Sequence, residues 1–264
     1  FYTSALGMRV TAEAQDELAL GTEERTLLVL HALPGAVPAR RVSGLYHFAV
    51  LLPSRAALAG ALLRLVEHNI RLQGVADHGV SEALYLADPD GNGIELYRDR
   101  EEPEWPREAD GSLQMGTEEL DIDGLVASRD GAAPGQGLPD GTRMGHVHLH
   151  VSDLDRAIAF YRDIVGLALK QRYGPSAGFL AAGRYHHHVG VNTWAGVGAP
   201  QPPAGSTGLR WFELTFASDA LLQAAAGRAR AAGHVAEPFA EGLLLKDPAG
   251  NGVVLRLARP PVKE

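Results

Sequence analysis

The chain has 264 residues, 45% hydrophobic and 21% charged, with 31 Gly, 16 Pro and no Cys; this supports packed cores in one large or two modest domains and excludes general disorder. The lack of Cys excludes a disulfide framework, thiolate metal sites and thiol nucleophiles, and fits a cytoplasmic location. A net charge of −8 opposes a phosphate backbone, and no apolar run reaches the ~18 residues of a membrane-spanning helix, so neither nucleic acid nor membrane is an expected partner.

The chain opens on Phe1-Tyr2-Thr3-Ser4-Ala5-Leu6-Gly7-Met8, which returns as Phe160-Tyr161-Arg162-Asp163-Ile164-Val165-Gly166-Leu167 at an offset of 159. Strand-like sequence follows, closing at 26–30, so the first unit begins at its helix and its opening strand is expected before Phe1. From Gly44 a strand over 46–52 precedes a helix over 54–67, then strands near 83–86 and 93–97. Between these last two lies Asp88-Pro89-Asp90-Gly91-Asn92-Gly93, which returns as Asp247-Pro248-Ala249-Gly250-Asn251-Gly252, again offset by 159. Two distant matches in one register indicate a duplication.

Residues 100–143 lose periodicity. Glu101, Glu102, Glu104, Glu118, Glu119, Asp121 and Asp123 make the stretch acidic, and 131–141 is rich in Gly and Pro. It reads as a solvated linker. A third unit starts with Gly145-His146-Val147-His148-Leu149-His150-Val151, an alternating strand pattern. Its helix keeps Leu154, Ile158, Tyr161 and Val165 on one side, with Asp153 as N-cap and Gly166 as the stop. Strands follow to 189–194, and the order recurs from Gly208. The expected domains are 1–99, with two repeats, and 144–264, with two more.

Repeated strand–helix–three-strand units, with Phe-Tyr near a helix end and an Asp-Pro-x-Gly-Asn-Gly turn, resemble the vicinal oxygen chelate superfamily. That superfamily includes glyoxalase I, fosfomycin-resistance proteins, bleomycin-binding proteins and extradiol dioxygenases. Gly44-Leu45-Tyr46-His47-Phe48, Ser81-Glu82-Ala83-Leu84-Tyr85-Leu86 and Tyr185-His186-His187-His188 are similar to catechol-2,3-dioxygenase-like members. The resemblance implies an α+β fold in which four βαβββ repeats pair into two cup-shaped β-rich domains with helices outside. It also implies metal ligands on the first and last strands of a unit.

His47 lies seven residues before Ser54, and His146 lies seven before Asp153, so the two hold equivalent places on opening strands. His148 and His150 share the strand face of His146, and His148 remains a rival ligand. Glu95 interrupts the otherwise apolar Ile94-Glu95-Leu96-Tyr97, where the resemblance implies a carboxylate ligand. In the fourth unit Trp211 precedes Ser218 by seven and Val254 is Glu95 plus 159; neither side chain ligates a metal. Related two-domain enzymes place the metal between third and fourth units. Here the set His47, Glu95 and His146 draws instead on the second and third units, with a His from the strand before Phe1 as the alternative. Strand alternation sets His187 on one face and His186 and His188 on the other. By resemblance His187 is the acid–base, Tyr85, ten residues before Glu95, binds substrate through its hydroxyl, and His78 is a further substrate-side group.

The implied function is extradiol cleavage of a catechol-type aromatic by O₂ at Fe(II), with Mn(II) as the second choice of metal. Alternatives are a glyoxalase-like isomerase or thiol transferase, and a non-catalytic, bleomycin-resistance-like binding module. The expected partners are the aromatic substrate and O₂, and a homo-oligomer is left open.

Overall fold

The protein was analysed as a computed structural model, which describes residues 1–129 and 137–258. Most of the Gly/Pro-rich stretch 131–141 falls outside these, and the strand expected before Phe1 lies outside the sequence. The fold is α+β and built from βαβββ units. The chain divides into two compact units, Phe1–Pro38 with Tyr46–His146 and Ala39–Leu45 with Val147–Glu264.

In the first unit, Phe1–Leu6 forms a turn with a helical-type bond from Ala5 N to Phe1 O (2.9 Å). An antiparallel meander follows: β1 (Arg9–Ala14), β2 (Glu17–Gly21) and β3 (Thr26–His31). The second repeat comprises β4 (Gly44–Leu51), α1 (Arg55–Glu67), β5 (Gly74–Asp77), β6 (Ser81–Ala87) and β7 (Gly93–Asp99). Its opening strand β4 runs parallel to its closing strand β7, from His47 beside Gly93 to Leu51 beside Tyr97. β6 and β5 continue antiparallel. Ser54 caps α1, its hydroxyl accepting from Ala57 N at 3.1 Å, as an N-cap serine does. Leu58, Ala59, Leu62 and Leu65 bury the inner face.

The second unit repeats the plan. Its third repeat has β8 (Arg143–His150), whose first four residues belong to the first unit, then α3 (Leu154–Ala159), β9 (Ala168–Tyr173), β10 (Ala177–Ala181) and β11 (Val189–Asn192). The fourth has β12 (Phe212–Phe216), α4 (Asp219–Ala231), β13 (Glu237–Phe239), β14 (Gly242–Lys246) and β15 (Gly252–Leu257). Opening and closing strands are again parallel neighbours, β8 with β11 and β12 with β15. Asp153 and Ser218 cap α3 and α4 as their spacing implies. The periodicity did not reveal that α3 passes into a π-helical turn over Phe160–Val165.

The repeated motifs are fasteners between successive repeats. Tyr2 donates its hydroxyl proton to Asp88 Oδ2 (2.6 Å), and Tyr161 does the same to Asp247 Oδ2 (3.1 Å). Each Asp Oδ1 accepts two turn amides, from Asp90 and Asn92 in one case and from Ala249 and Asn251 in the other. Gly91 and Gly250 supply φ values of 87° and 90°, which favour glycine. Gly93 leaves room for the Tyr46 carbonyl, which would lie 2.0 Å from a Cβ there. A second fastener uses arginine. Arg64 of α1 donates to Ala5 O (3.1 Å) and Leu6 O (2.9 Å). Arg228 of α4 donates to Ile164 O (3.0 Å) and Val165 O (3.1 Å), so both guanidiniums satisfy carbonyls at the end of the preceding helix or turn.

Residues 100–143 hold more than a solvated linker. Trp105, Leu113, Met115, Leu120, Leu125 and Leu138 are buried, and a short helix α2 (Ile122–Ala127) is capped by Asp121. The acidic side chains are mostly exposed, as their composition implies. Loss of periodicity reports irregular backbone rather than solvation, because buried side chains in irregular structure follow no fixed spacing.

Arg64→Ala, at a buried residue, is expected to cost about 2–3 kcal/mol and Arg228→Ala, at an exposed residue, about 1 kcal/mol, since each removes a charged donor from at least two carbonyls. Denaturant titration measures both. The losses should add in the double variant, because the two arginines share no partner.

Candidate metal centre

Three strands of the first unit carry the site. His47 is the first ladder residue of β4, beside Gly93 of β7. Glu95 lies two residues further along β7, so its side chain returns to the face that His47 occupies. His146 is the last residue of β8 within this unit. His47 Nε2 and His146 Nε2 each stand 3.0 Å from Glu95 Oε2, and 3.3 Å from each other. All three residues are buried, Glu95 to 2% exposure. Among the described residues no other three His, Asp or Glu side chains bring ligand atoms together in this way.

The donor set fits a divalent cation. Two imidazole nitrogens and one carboxylate oxygen form the 2-His-1-carboxylate triad of non-haem iron sites. Adjacent ligand atoms at ~2.1 Å from an octahedral centre lie ~3.0 Å apart, close to the separations found here. Burial pushes the Glu95 carboxyl up, but the charge and hydrogen bond of His146, then those of His47, outweigh it and hold the group well below the usual carboxylate range. The carboxylate therefore stays ionised although it is 2% exposed.

Tyrosines surround the triad. Tyr85 of β6 is the cross-strand partner of Glu95, and its ring lies 5.7 Å from that of His47. Burial first, then the Glu95 charge and a side-chain hydrogen bond with Glu95, push its hydroxyl well above the usual phenol range. Its oxygen lies 2.6 Å from His78 Nε2. Tyr97, fully buried, packs its ring 5.0 Å from that of His146, and Tyr46 sits 5.0 Å from His47. Sequence reasoning gave neither a role. Tyr97 was within reach of it, because it follows Glu95 by two and must share its face. Tyr46 precedes the first paired residue of β4 and escapes strict alternation.

His187 belongs to the second unit. Its ring contacts Phe179 edge-on at 5.0 Å, and its Nδ1 lies 2.8 Å from Nδ1 of His186. The triple His precedes β11 rather than lying within it, so strand alternation does not govern it. The expected opposition of His186 and His187 is corrected accordingly, since their rings adjoin. His148 packs between Phe179 (5.6 Å) and Trp194 (5.3 Å), and His150 pairs through Nδ1 with Asn192 Oδ1 at 2.7 Å; neither joins the triad group. Extending the β8–β11 ladder, Gly190 takes the place in the third repeat that Glu95 holds in the second. In the fourth repeat Trp211 packs edge-on against Phe239 (5.0 Å) and Val254 is buried in β15.

The chain is similar to known proteins along nearly its whole length. The family described as the Glyoxalase/Bleomycin resistance protein/Dioxygenase superfamily matches residues 1–96 and 143–255. A catechol-2,3-dioxygenase of Bacillus subtilis (strain 168) is 43% identical over 258 residues, 96% of this chain and 90% of that protein. Among solved structures, one from Bacillus subtilis superposes with a TM-score of 0.66 at 14% identity, covering 98% of this chain and 80% of that one. Glyoxalase I from Zea mays gives 0.56 at 16% identity, covering 96% and 85%. At these identities the two structures speak for the fold alone, whereas the family match and the Bacillus relative span nearly every repeat. The βαβββ units and their shared turn thus have one origin: the chain belongs to the glyoxalase/bleomycin resistance protein/dioxygenase superfamily.

Proposed function

We propose that the chain is a metal-dependent extradiol dioxygenase that opens a catechol-type ring beside its two hydroxyls and incorporates both atoms of O₂. The observation that carries this reading is the convergence of His47, Glu95 and His146 on one buried point. The 43% identity to a protein named catechol-2,3-dioxygenase supports it. Fe(II) is the proposed metal and Mn(II) the alternative; held by three protein ligands, either supplies Lewis acidity and open positions for two vicinal oxygens and O₂.

The residues of the chain divide the remaining work. His47, Glu95 and His146 hold the cation, and the single carboxylate leaves the centre net positive, which favours binding a deprotonated substrate oxygen. The buried walls around the triad exclude water and strengthen each electrostatic contact made there. Tyr85 orients substrate through its hydroxyl, and His78 holds Tyr85 by the 2.6 Å contact. His187, which its His-His sequence context offers as an acid–base, lies in the second unit against Phe179 and His186. A glyoxalase-type isomerisation usually draws on more carboxylate or amide ligands than this donor set contains.

Two expectations follow from the site. Glu95→Gln should weaken Fe(II) binding by about 100-fold or more, because the only anionic ligand becomes neutral; anaerobic calorimetry measures this. Tyr85→Phe should keep the metal and slow catechol cleavage by about tenfold, the worth of one hydrogen bond, followed by the absorbance of the ring-opened product. Full metal content with no product from catechol would sink the dioxygenase reading while sparing the metal site.

Acidification should give two separate events. Protons compete with metal for imidazole nitrogen, so metal leaves first as pH falls. Glu95, with a folded pKa depressed below its unfolded value, contributes stability that is fully present above the ordinary ~4.3 and is lost only as pH falls through the folded pKa. A chelating dye and circular dichroism, recorded along one pH titration, should show metal release preceding unfolding.

A further inference from the structure

The irregular strap over residues 106–118 reaches the candidate site through one backbone group. Asp77 and Glu118 pair reciprocally, N to O at 3.0 and 2.8 Å. Gly116 N donates to His78 O (3.2 Å), and Gly116 O lies 2.7 Å from His78 Nδ1. Pro106 seats the strap against Gly79, where a Cβ would stand 2.7 Å from Pro106 Cγ and where φ is +76°. Trp105, buried, anchors its start by donating Nε1–H to Arg100 O at 2.9 Å.

A carbonyl only accepts, so the 2.7 Å contact places a proton on His78 Nδ1. In the neutral ring Nε2 is then a bare acceptor. The Tyr85 hydroxyl, 2.6 Å from it, has one proton and two neighbours able to take it, His78 and its cross-strand partner Glu95. The alternative, Nε2–H donating to Tyr85, would press the lone pair of Nδ1 against the Gly116 carbonyl.

We infer that the Gly116 carbonyl is a positioning group of the site: it holds His78 as the Nδ1–H tautomer, so that Nε2 competes with Glu95 for the Tyr85 proton instead of donating one, and leaves the Tyr85 oxygen to accept a hydrogen bond. The ligand this arrangement selects presents an O–H donor to Tyr85, as a catechol carrying one protonated hydroxyl does. The tautomer stands on this chain's geometry alone, whereas the ligand class rests on the dioxygenase reading above.

The test uses the full chain, ¹⁵N-labelled and metal-free, with long-range ¹H–¹⁵N correlations of the imidazoles and His78→Gln to assign the signals. At a pH where His78 is neutral, the expected pattern is protonated Nδ1 and unprotonated, hydrogen-bonded Nε2. Tyr85→Phe, which removes one oxygen, should move the Nε2 resonance toward its non-bonded position while Nδ1 stays protonated. Gly79→Ala, which pushes Pro106 and the strap away, should admit the Nε2–H tautomer. In metal-loaded enzyme it should also raise KM for catechol about tenfold, the worth of one hydrogen bond, more than it lowers kcat. An Nε2–H signal in the unaltered protein, or an Nε2 resonance indifferent to Tyr85→Phe, overturns the inference whatever the activity. The expected tautomer and shift in a loaded protein that leaves catechol intact would uphold the positioning role and reject the ring-cleavage reading.

Discussion

A carboxylate at 2% exposure, in the middle of an apolar strand, is the constraint around which the first unit is arranged. Taking a carboxylate out of water costs several kcal/mol unless partners replace the solvent. Neither flanking residue of Glu95 can do so, since Ile94 and Leu96 are apolar. The compensation comes from two imidazoles on two other strands, each 3.0 Å from the same oxygen. The charge on β7 therefore requires β4 and β8 to be within reach. Position along β7 is fixed in turn by the Asp88 turn just upstream, which Tyr2 holds from the first repeat.

Duplication has preserved the fasteners and released the chemistry. Tyr2–Asp88 and Tyr161–Asp247 are spaced alike, and the carbonyls that Arg64 and Arg228 hold recur at the same offset although the arginines themselves do not. These contacts recur because every pair of successive repeats must bury the same helix ends and turns. The ligand positions face no such demand. They read His and Glu in the second repeat, His and Gly190 in the third, and Trp211 and Val254 in the fourth. An aromatic pair of Trp211 with Phe239 fills space that a ligand-type side chain would have had to leave polar.

Much of this was legible in the sequence wherever a fixed geometric period connects residues. Helix caps at Ser54, Asp153 and Ser218 lie at the positions their spacing gives, and the equivalence of His47 with His146 follows from counting back to those caps. The turn motif identified the repeats because each of its residues has a separate task, from the Asp that gathers amides to the glycines that permit positive φ and close approach. Other features carry no period. The π-helical turn at Phe160–Val165 is a register change inside an unaltered hydrophobic pattern. The triple His lies before its strand, where alternation does not apply. Gly116 acts through its carbonyl, which every residue possesses, so no reading of side chains could single it out.

The span of the triad has a consequence for the life of the chain. His47 and His146 are 99 residues apart, and the acidic segment lies between them. A cation gripping both closes that loop as a cross-link would, removing from the unfolded ensemble the conformations in which the two ends are far apart. Because the clasp is reversible, its strength grows with the logarithm of free metal concentration. Starved of metal, the same polypeptide would open more often at β8 and offer the intervening segment to proteases, so its turnover would follow the metal supply.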